Sequence, residues 1–274
     1  SQSDTPHREL ALSLEGIGQH AIEFLRPLYA HPNRDVNFAA AATGVRLGDN
    51  AALEVLIQHA HDSRSAYRYQ AIRELGESKM PARAGATLRE LLDGTDVEIR
   101  VLAYEALRLV DRSAIVQVVV GERPVNFLLE IVPSSGTPLI YVRRTKEPRI
   151  ALIGGDQLLC RPPLLYTDRD SPVTLSAKSG DKMIAILRKD PKRTLGPYFS
   201  PLSVPILTRF LGNDMRTDLN GKLDGLGLDY GSVVGILYHL CQSKAIPADM
   251  KWEEPNTDQL LGPVQPMGRP ESEL

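Results

Sequence analysis

Over residues 7–112 one pattern recurs, and it narrows the fold more than any other feature of the chain: an apolar helix ending at a stop. Leu14-Glu15-Gly16-Ile17-Gly18 closes one helix, Val45-Arg46-Leu47-Gly48 the next and Ile72-Arg73-Glu74-Leu75-Gly76 a third. Leu107-Arg108-Leu109-Val110-Asp111 closes a fourth, with Asp in place of Gly. The closing positions 18, 48, 76 and 111 lie 30, 28 and 35 residues apart. Glycine at these stops relieves the left-handed backbone that ends many helices. A second helix follows several stops, over 50–60 and 80–92, and then a polar link such as Asp62-Ser63-Arg64-Ser65 or Asp93-Gly94-Thr95-Asp96. Self-similarity at this period is the signature of stacked helix pairs, none of which covers its own apolar face alone.

The segments 66–75 and 97–107 resemble HEAT-like repeats, with the small residues Ala71 and Ala106 placed for close helix approach. The resemblance implies an α-helical HEAT-like solenoid over residues 1–112, an architecture that serves mainly as a docking surface or spacer.

From Ser113 the spacing changes from helical to alternating. Residues 114–120, 127–132, 139–142, 150–153, 173–177 and 183–187 read as short strands punctuated by Gly, Pro and Asp, which predicts an antiparallel β arrangement. Helices return over 203–211 and 230–244. The expectation is an α+β multidomain chain: repeats over 1–112, a β-rich domain ending in a helix over 113–250, and a disordered Pro- and Glu-rich tail over 251–274.

Composition sets limits on partners. With 34 acidic and 32 basic residues the formal net charge is −2, so electrostatics give no reason to expect nucleic acid. No stretch approaches the roughly 20 apolar residues of a membrane span. The chain opens on Ser-Gln-Ser-Asp rather than Met, as a processed or excised polypeptide would. Its two cysteines, Cys160 and Cys241, form no CxxC motif; they are either two buried thiols or one disulfide.

The motifs that suggest chemistry fall short of it. In a calcium-loop frame over 216–227, Asp218, Asn220 and Gly221 take third, fifth and sixth places, but Arg216 and Gly227 stand where the strongest ligands belong. His59 and His61 sit two apart at a helix end, facing different directions. Gly154-Gly155-Asp156 follows a strand without the Lys-Ser/Thr of a phosphate loop and reads as a hairpin turn. Gly231-Ser232-Val233-Val234-Gly235 lacks the nucleophile-elbow spacing. Asp168 and Asp170, among Arg161 and Arg169, read as turn residues. Two basic groups, Arg143/Arg144/Lys146/Arg149 and Arg188/Lys189/Lys192/Arg193, are solvated strand ends or an attraction for an anionic partner. No cofactor and no enzymatic activity are expected.

Two stretches resemble the bacterial flagellar basal-body P-ring protein. One runs from Arg149 through Ile153-Gly154-Gly155-Asp156 and Cys160-Arg161-Pro162-Pro163, on to Val173-Thr174-Leu175. There a strand leads into Ile-Gly-Gly-Asp, an apolar Pro-containing stretch and a second strand. The other, Asp229 to Met250, is similar to the family's C-terminal helix and its ending. The resemblance implies a structural, non-catalytic subunit of a homo-oligomeric ring in the periplasm, with peptidoglycan contact, and it favours a Cys160–Cys241 disulfide. The alternative is a generic HEAT-repeat scaffold for protein partners, in the cytoplasm, with an accessory β domain.

Overall fold

The computed structural model describes residues 18–254 except 123, 145–146, 156–157, 168–171, 190–193 and 218–222. Among the described residues the chain is mixed α and β, with helices first and strands after. The helices are α1 (Ile22–Leu25, flanked by 3₁₀ turns), α2 (Arg34–Leu47), α3 (Asn50–His61), α4 (Arg68–Gly76), α5 (Pro81–Leu92) and α6 (Val97–Val110). Local chemistry sets their ends. Asn33 Oδ1 accepts from the Asp35 amide at 2.8 Å and starts α2, and Asp96 Oδ1 takes the Glu98 and Ile99 amides at 3.0 and 3.2 Å and starts α6. Both are side-chain N-caps that satisfy otherwise unpaired helix amides. Asp49 caps α3 through Ala51 at 3.2 Å while its other oxygen accepts from the Tyr29 hydroxyl at 3.0 Å and Arg26 Nε at 3.2 Å. Burial alone would raise this carboxyl, but the Arg26, Ala51 and Tyr29 donors outweigh it and hold its pKa low.

One of the expected glycine stops behaves as the sequence suggests: Gly48 caps the end of α2 with φ of 95°, while the helix expected to close at Gly18 lies outside the described residues. Gly76 departs from the pattern. It sits at the last position of α4 outside the left-handed region, and a Cβ there would lie 3.1 Å from Ala106 Cα. The residue is small so that α4 and α6 can touch.

The strands β1 (Val116–Val120), β2 (Phe127–Val132), β3 (Leu139–Arg143), β4 (Arg149–Ile153) and β9 (Asp249–Trp252) form one sheet in the order β1-β2-β4-β3-β9. It is mixed rather than antiparallel: β2 pairs with β4 and β3 with β9 in parallel. A second, wholly antiparallel sheet holds β5 (Leu164–Thr167), β6 (Val173–Ala177), β7 (Met183–Lys189) and β8 (Thr194–Pro201) in sequence order. Helices α7 (Val204–Gly212) and α8 (Tyr230–Gln242) complete the described chain. Of the expected disordered tail, Lys251 and Trp252 instead belong to the first sheet through β9, the Glu253 amide donates to the Val142 carbonyl at 2.8 Å, and 255–274 lies outside the described residues.

The first sheet is the middle layer. Val132, Leu139, Tyr141, Ala151 and Ile153 point to one side and join the core of the helices. Leu129, Ile140, Val142, Ile150 and Leu152 point to the other and pack with α7, α8 and the second sheet. Every residue of β4 is buried, as expected of a strand covered on both faces. The apolar core therefore runs without a break across the change of secondary structure at residues 112–113. No helix among the described residues is long and apolar enough to cross a membrane.

Candidate functional site

Two polar residues interrupt the buried strands, and together they build a charged clasp between helices and sheet. Glu130 lies in the middle of β2 and Arg149 begins β4, with relative exposures of 0 % and 1 %. Because Glu130 pairs in register with Ala151 and Arg149 with Leu128, both side chains leave the sheet on the helical side. Tyr104 of α6 donates its hydroxyl to Glu130 Oε2. Arg108 Nε and Gln117 Nε2 donate to Oε1 at 2.9 and 2.7 Å. Arg149 Nη1 donates to the Tyr104 oxygen at 3.0 Å and lies 3.7 Å from Glu130 and 3.5 Å from Glu105. Burial, reinforced by the Glu130 charge, pushes the Tyr104 hydroxyl well above its ordinary pKa, so it stays a donor. Arg149 Nε and Nη2 have no hydrogen-bond partner, which makes this guanidinium depend on its carboxylates. The sequence signal was present, a lone Glu inside Phe-Leu-Leu-Glu-Ile-Val and an Arg opening an apolar strand, but strand-end solvation was the more ordinary meaning.

The same clasp accounts for the first basic group. Arg143 Nε donates to Glu253 at 2.9 Å and Nη1 lies 3.7 Å from Glu105. Arg144 stacks 5.0 Å over the Trp252 ring, and Arg149 is buried, so the group is not a row of solvated strand ends. In the second group Arg188 Nη1 donates to the Leu226 carbonyl and Lys189 is exposed; Lys146, Lys192 and Arg193 lie outside the described residues.

Between the end of α5, the loop 133–138 and the segment 158–162 opens a cleft of about 1200 Å³. Asp93, Ser134, Gly136, Gly154, Cys160 and Arg161 are among its lining residues. The loop 133–138 is tied to the end of α5, since the Ser134 hydroxyl and Ser135 amide donate to Asp93 Oδ1 at 2.9 and 2.7 Å. Gly154 takes φ of 71°, and its amide donates to Val132 at 2.8 Å. A Cβ on Gly155 would collide with the Leu152 side chain. The Gly154-Gly155 turn is not a hairpin: β4 neighbours β2 and β3, and the next strand, β5, belongs to the other sheet. The turn hands the chain from one layer to the next. Asp156 lies outside the described residues.

Cys160 and Cys241 are both buried, both free, and part of the same apolar cluster. Burial first, and for Cys160 the neighbouring Cys241, push their pKa values up to about 12 and about 11. Such thiols are poor nucleophiles at neutral pH. His59 is held by Ser65 at 2.7 Å through Nδ1 and by Asn37 at 2.8 Å through Nε2, while His61 faces Glu90 at 3.6 Å. The two rings serve different partners, and no group of three or more metal-ligating side chains exists among the described residues. Asp168, Asp170, Asp218, Asn220 and Gly221 lie outside them. Ser232 donates its hydroxyl to Asp229 at 2.7 Å and its amide to the same carboxylate at 3.0 Å, so it is part of the α8 cap.

The two stretches that carry the P-ring resemblance meet in this region. The Arg161 amide donates to the Ala245 carbonyl at 2.7 Å, Tyr166 and His239 pack edge to face with centroids 5.1 Å apart, and Pro247 lines the cleft beside Gly154 and Pro162. No protein-family model matches this chain, and no curated protein matches it.

Proposed function

We infer that this chain is a non-catalytic structural subunit of a flagellar basal-body P-ring-like assembly in the periplasm, with the helical block as an interaction surface. One observation carries the reading: the two resembling stretches, far apart in sequence, are hydrogen-bonded to each other and share one core. A resemblance confined to scattered segments gains weight when those segments form a single unit. The buried ionisable groups support a structural role, because Glu130 accepts from Tyr104 and Arg108 and stands 3.7 Å from Arg149 where helices meet sheet. A ring subunit needs two different complementary faces, and the helical block and the opposite sheet supply chemically distinct ones. Under this reading oxidation joins Cys160 and Cys241, and peptidoglycan is a neighbour of the assembled ring.

A second reading keeps the helices and drops the ring: a HEAT-like scaffold that binds a protein partner in the cytoplasm. It is favoured by the packing of each helix against the next from α2 to α6 and by the close Gly76–Ala106 approach. Deleting the gene in the source cells separates the two. Loss of motility together with loss of a ring density from isolated basal bodies supports the first; intact basal bodies and normal swimming leave the second.

A further inference from the structure

The cleft beside loop 133–138 holds a backbone edge that the fold begins to pair and then leaves open. Residues 158–161 alternate like a strand: Leu158 and Cys160 are buried, Leu159 and Arg161 exposed. One edge of this segment is paired. The Cys160 amide donates to the Leu202 carbonyl at 2.7 Å and the Val204 amide to the Leu158 carbonyl at 3.0 Å, which brackets Leu159 opposite Ser203. In an antiparallel pair of this kind the bracketed residue turns its own N–H and C=O away from the partner.

On the other edge pairing starts and stops. The Arg161 amide, which faces the same way as that of Leu159, donates to the Ala245 carbonyl at 2.7 Å. Beyond Ala245 the donors run out. The Ile246 amide is given to the Leu240 carbonyl at 2.9 Å, and Pro247 has no N–H. Neither backbone group of Leu159 has a hydrogen-bond partner among the described residues, and its side chain is 53 % exposed. The cleft runs along this edge, for residues 158–162 all line it. Its other charged groups are engaged: Arg89 Nη1 donates to Asp111 at 3.0 Å, and Asp93 accepts from Ser134 and Ser135. The Arg161 guanidinium has no acidic partner among the described residues.

We propose that this cleft is a docking site for an extended peptide segment of a partner protein, which pairs with Leu159 as an added antiparallel strand and presents a carboxylate to Arg161. An unpaired N–H and C=O on one residue match the backbone of one peptide residue, the pattern that strand addition uses. Ala245 occupies the edge beside Arg161, so the backbone pairing centres on Leu159 and the ligand leaves the edge there. Side chains of directly paired residues share a face, and diagonal neighbours lie about 7–8 Å apart, within reach of long side chains. A ligand glutamate opposite Leu159 therefore exchanges both backbone hydrogen bonds with Leu159 and extends its carboxylate to Arg161. The volume of about 1200 Å³ lies above the roughly 300–1,000 Å³ of small-molecule pockets, as a length of chain requires. The inference stands on the cleft and is independent of the basal-body reading.

Fluorescence anisotropy with a labelled, end-blocked peptide Ala-Val-Glu-Val-Ala, titrated with the full chain from about 1 μM to about 1 mM, tests it. Saturable binding is expected. N-methylation of the central Glu removes the donor to the Leu159 carbonyl and should weaken binding roughly fivefold to tenfold; a central Lys should weaken it at least as much. Arg161→Glu, at an exposed side chain, should keep the far-ultraviolet spectrum and exchange the preference, so that the Lys peptide binds and the Glu peptide does not. Arg161→Ala supplies the loss alone should the reversal misfold. Phe24→Ser, at an exposed residue of the helical block, should change nothing. Absence of binding up to the highest concentration, binding indifferent to the N-methyl group, or binding indifferent to Arg161 overturns the proposal. Self-association of the chain that Arg161→Glu abolishes would assign the cleft to a second copy and likewise overturn it.

Discussion

Replacing Glu130 by Gln should destabilise the protein far more than an ordinary polar substitution. The carboxylate is fully buried, receives hydrogen bonds from Tyr104, Arg108 and Gln117, and lies 3.7 Å from the Arg149 guanidinium, itself 1 % exposed. Glutamine keeps the volume and removes the charge. Arg149, already without partners at Nε and Nη2, is then left with Glu105 at 3.5 Å as its nearest carboxylate. Breaking a buried pair from one side costs roughly 3–5 kcal/mol, because the remaining charge stays desolvated. For a chain of this size that corresponds to a melting temperature lower by about 6–20 °C. Removing both charges, with Glu130→Leu and Arg149→Met, should cost clearly less than the two single losses together, since apolar replacement of a whole buried pair is often near neutral. Urea denaturation of the wild type, the singles and the double variant measures this. A loss below about 1 kcal/mol for Glu130→Gln, or strictly additive singles, would show that the clasp is not an interdependent unit.

Gly212→Ala should lower stability by about 1–3 kcal/mol, because a Cβ there would lie 2.5 Å from the Phe127 ring and 2.9 Å from Val120; differential scanning calorimetry reads the change. Asp96→Ala removes the single oxygen that accepts from the Glu98 and Ile99 amides at the start of α6 and should cost about 0.5–2 kcal/mol, visible as an earlier urea midpoint, whereas Asp96→Asn should recover most of it. In reduced protein Cys160 and Cys241 should resist a thiol reagent at pH 8 until the chain is unfolded, and rapid native labelling would contradict their burial. Their folded pKa values of about 12 and about 11 stand above the unfolded value of 9.0. The stability they contribute is therefore complete below pH 9 and is lost as pH rises toward 11–12. Thermal melts should fall on the alkaline side of pH 9, with Tyr230, raised to about 12 by burial, adding to the same trend.

Much of the layered arrangement is legible in the residues, and the exceptions have physical causes. Helices α2 to α6 announce themselves through apolar spacing and through Asn33, Asp49 and Asp96 as caps. Strands β1 to β4, β6 and β7 show as β-branched or apolar runs. Strand β8 hides because it carries Gly196, Pro197 and Pro201, residues that argue against a central strand yet are tolerated at a sheet edge. Strands β5 and β9 are four residues each, β5 directly after Pro162-Pro163 and β9 just after Pro247, too short to show a period. The parallel pairings could not be read from alternation, because register between distant strands is decided by the core that they share. Gly76 shows a different limit: a glycine at a helix end can serve packing rather than a left-handed cap, and only the facing Ala106 distinguishes the two. The clasp was hidden for a related reason. Glu130 and Arg149 look like surface residues until β2 and β4 are placed side by side.

The central claim, that this chain is a subunit of a P-ring-like structure, is met most directly by quantitative mass spectrometry of basal bodies purified from the source cells. Peptides from residues 114–250 should appear in proportion to the other ring components and disappear from preparations stripped of the rod. Basal bodies free of these peptides, from cells that express the protein, would contradict the claim and leave the helical scaffold as the reading of this fold.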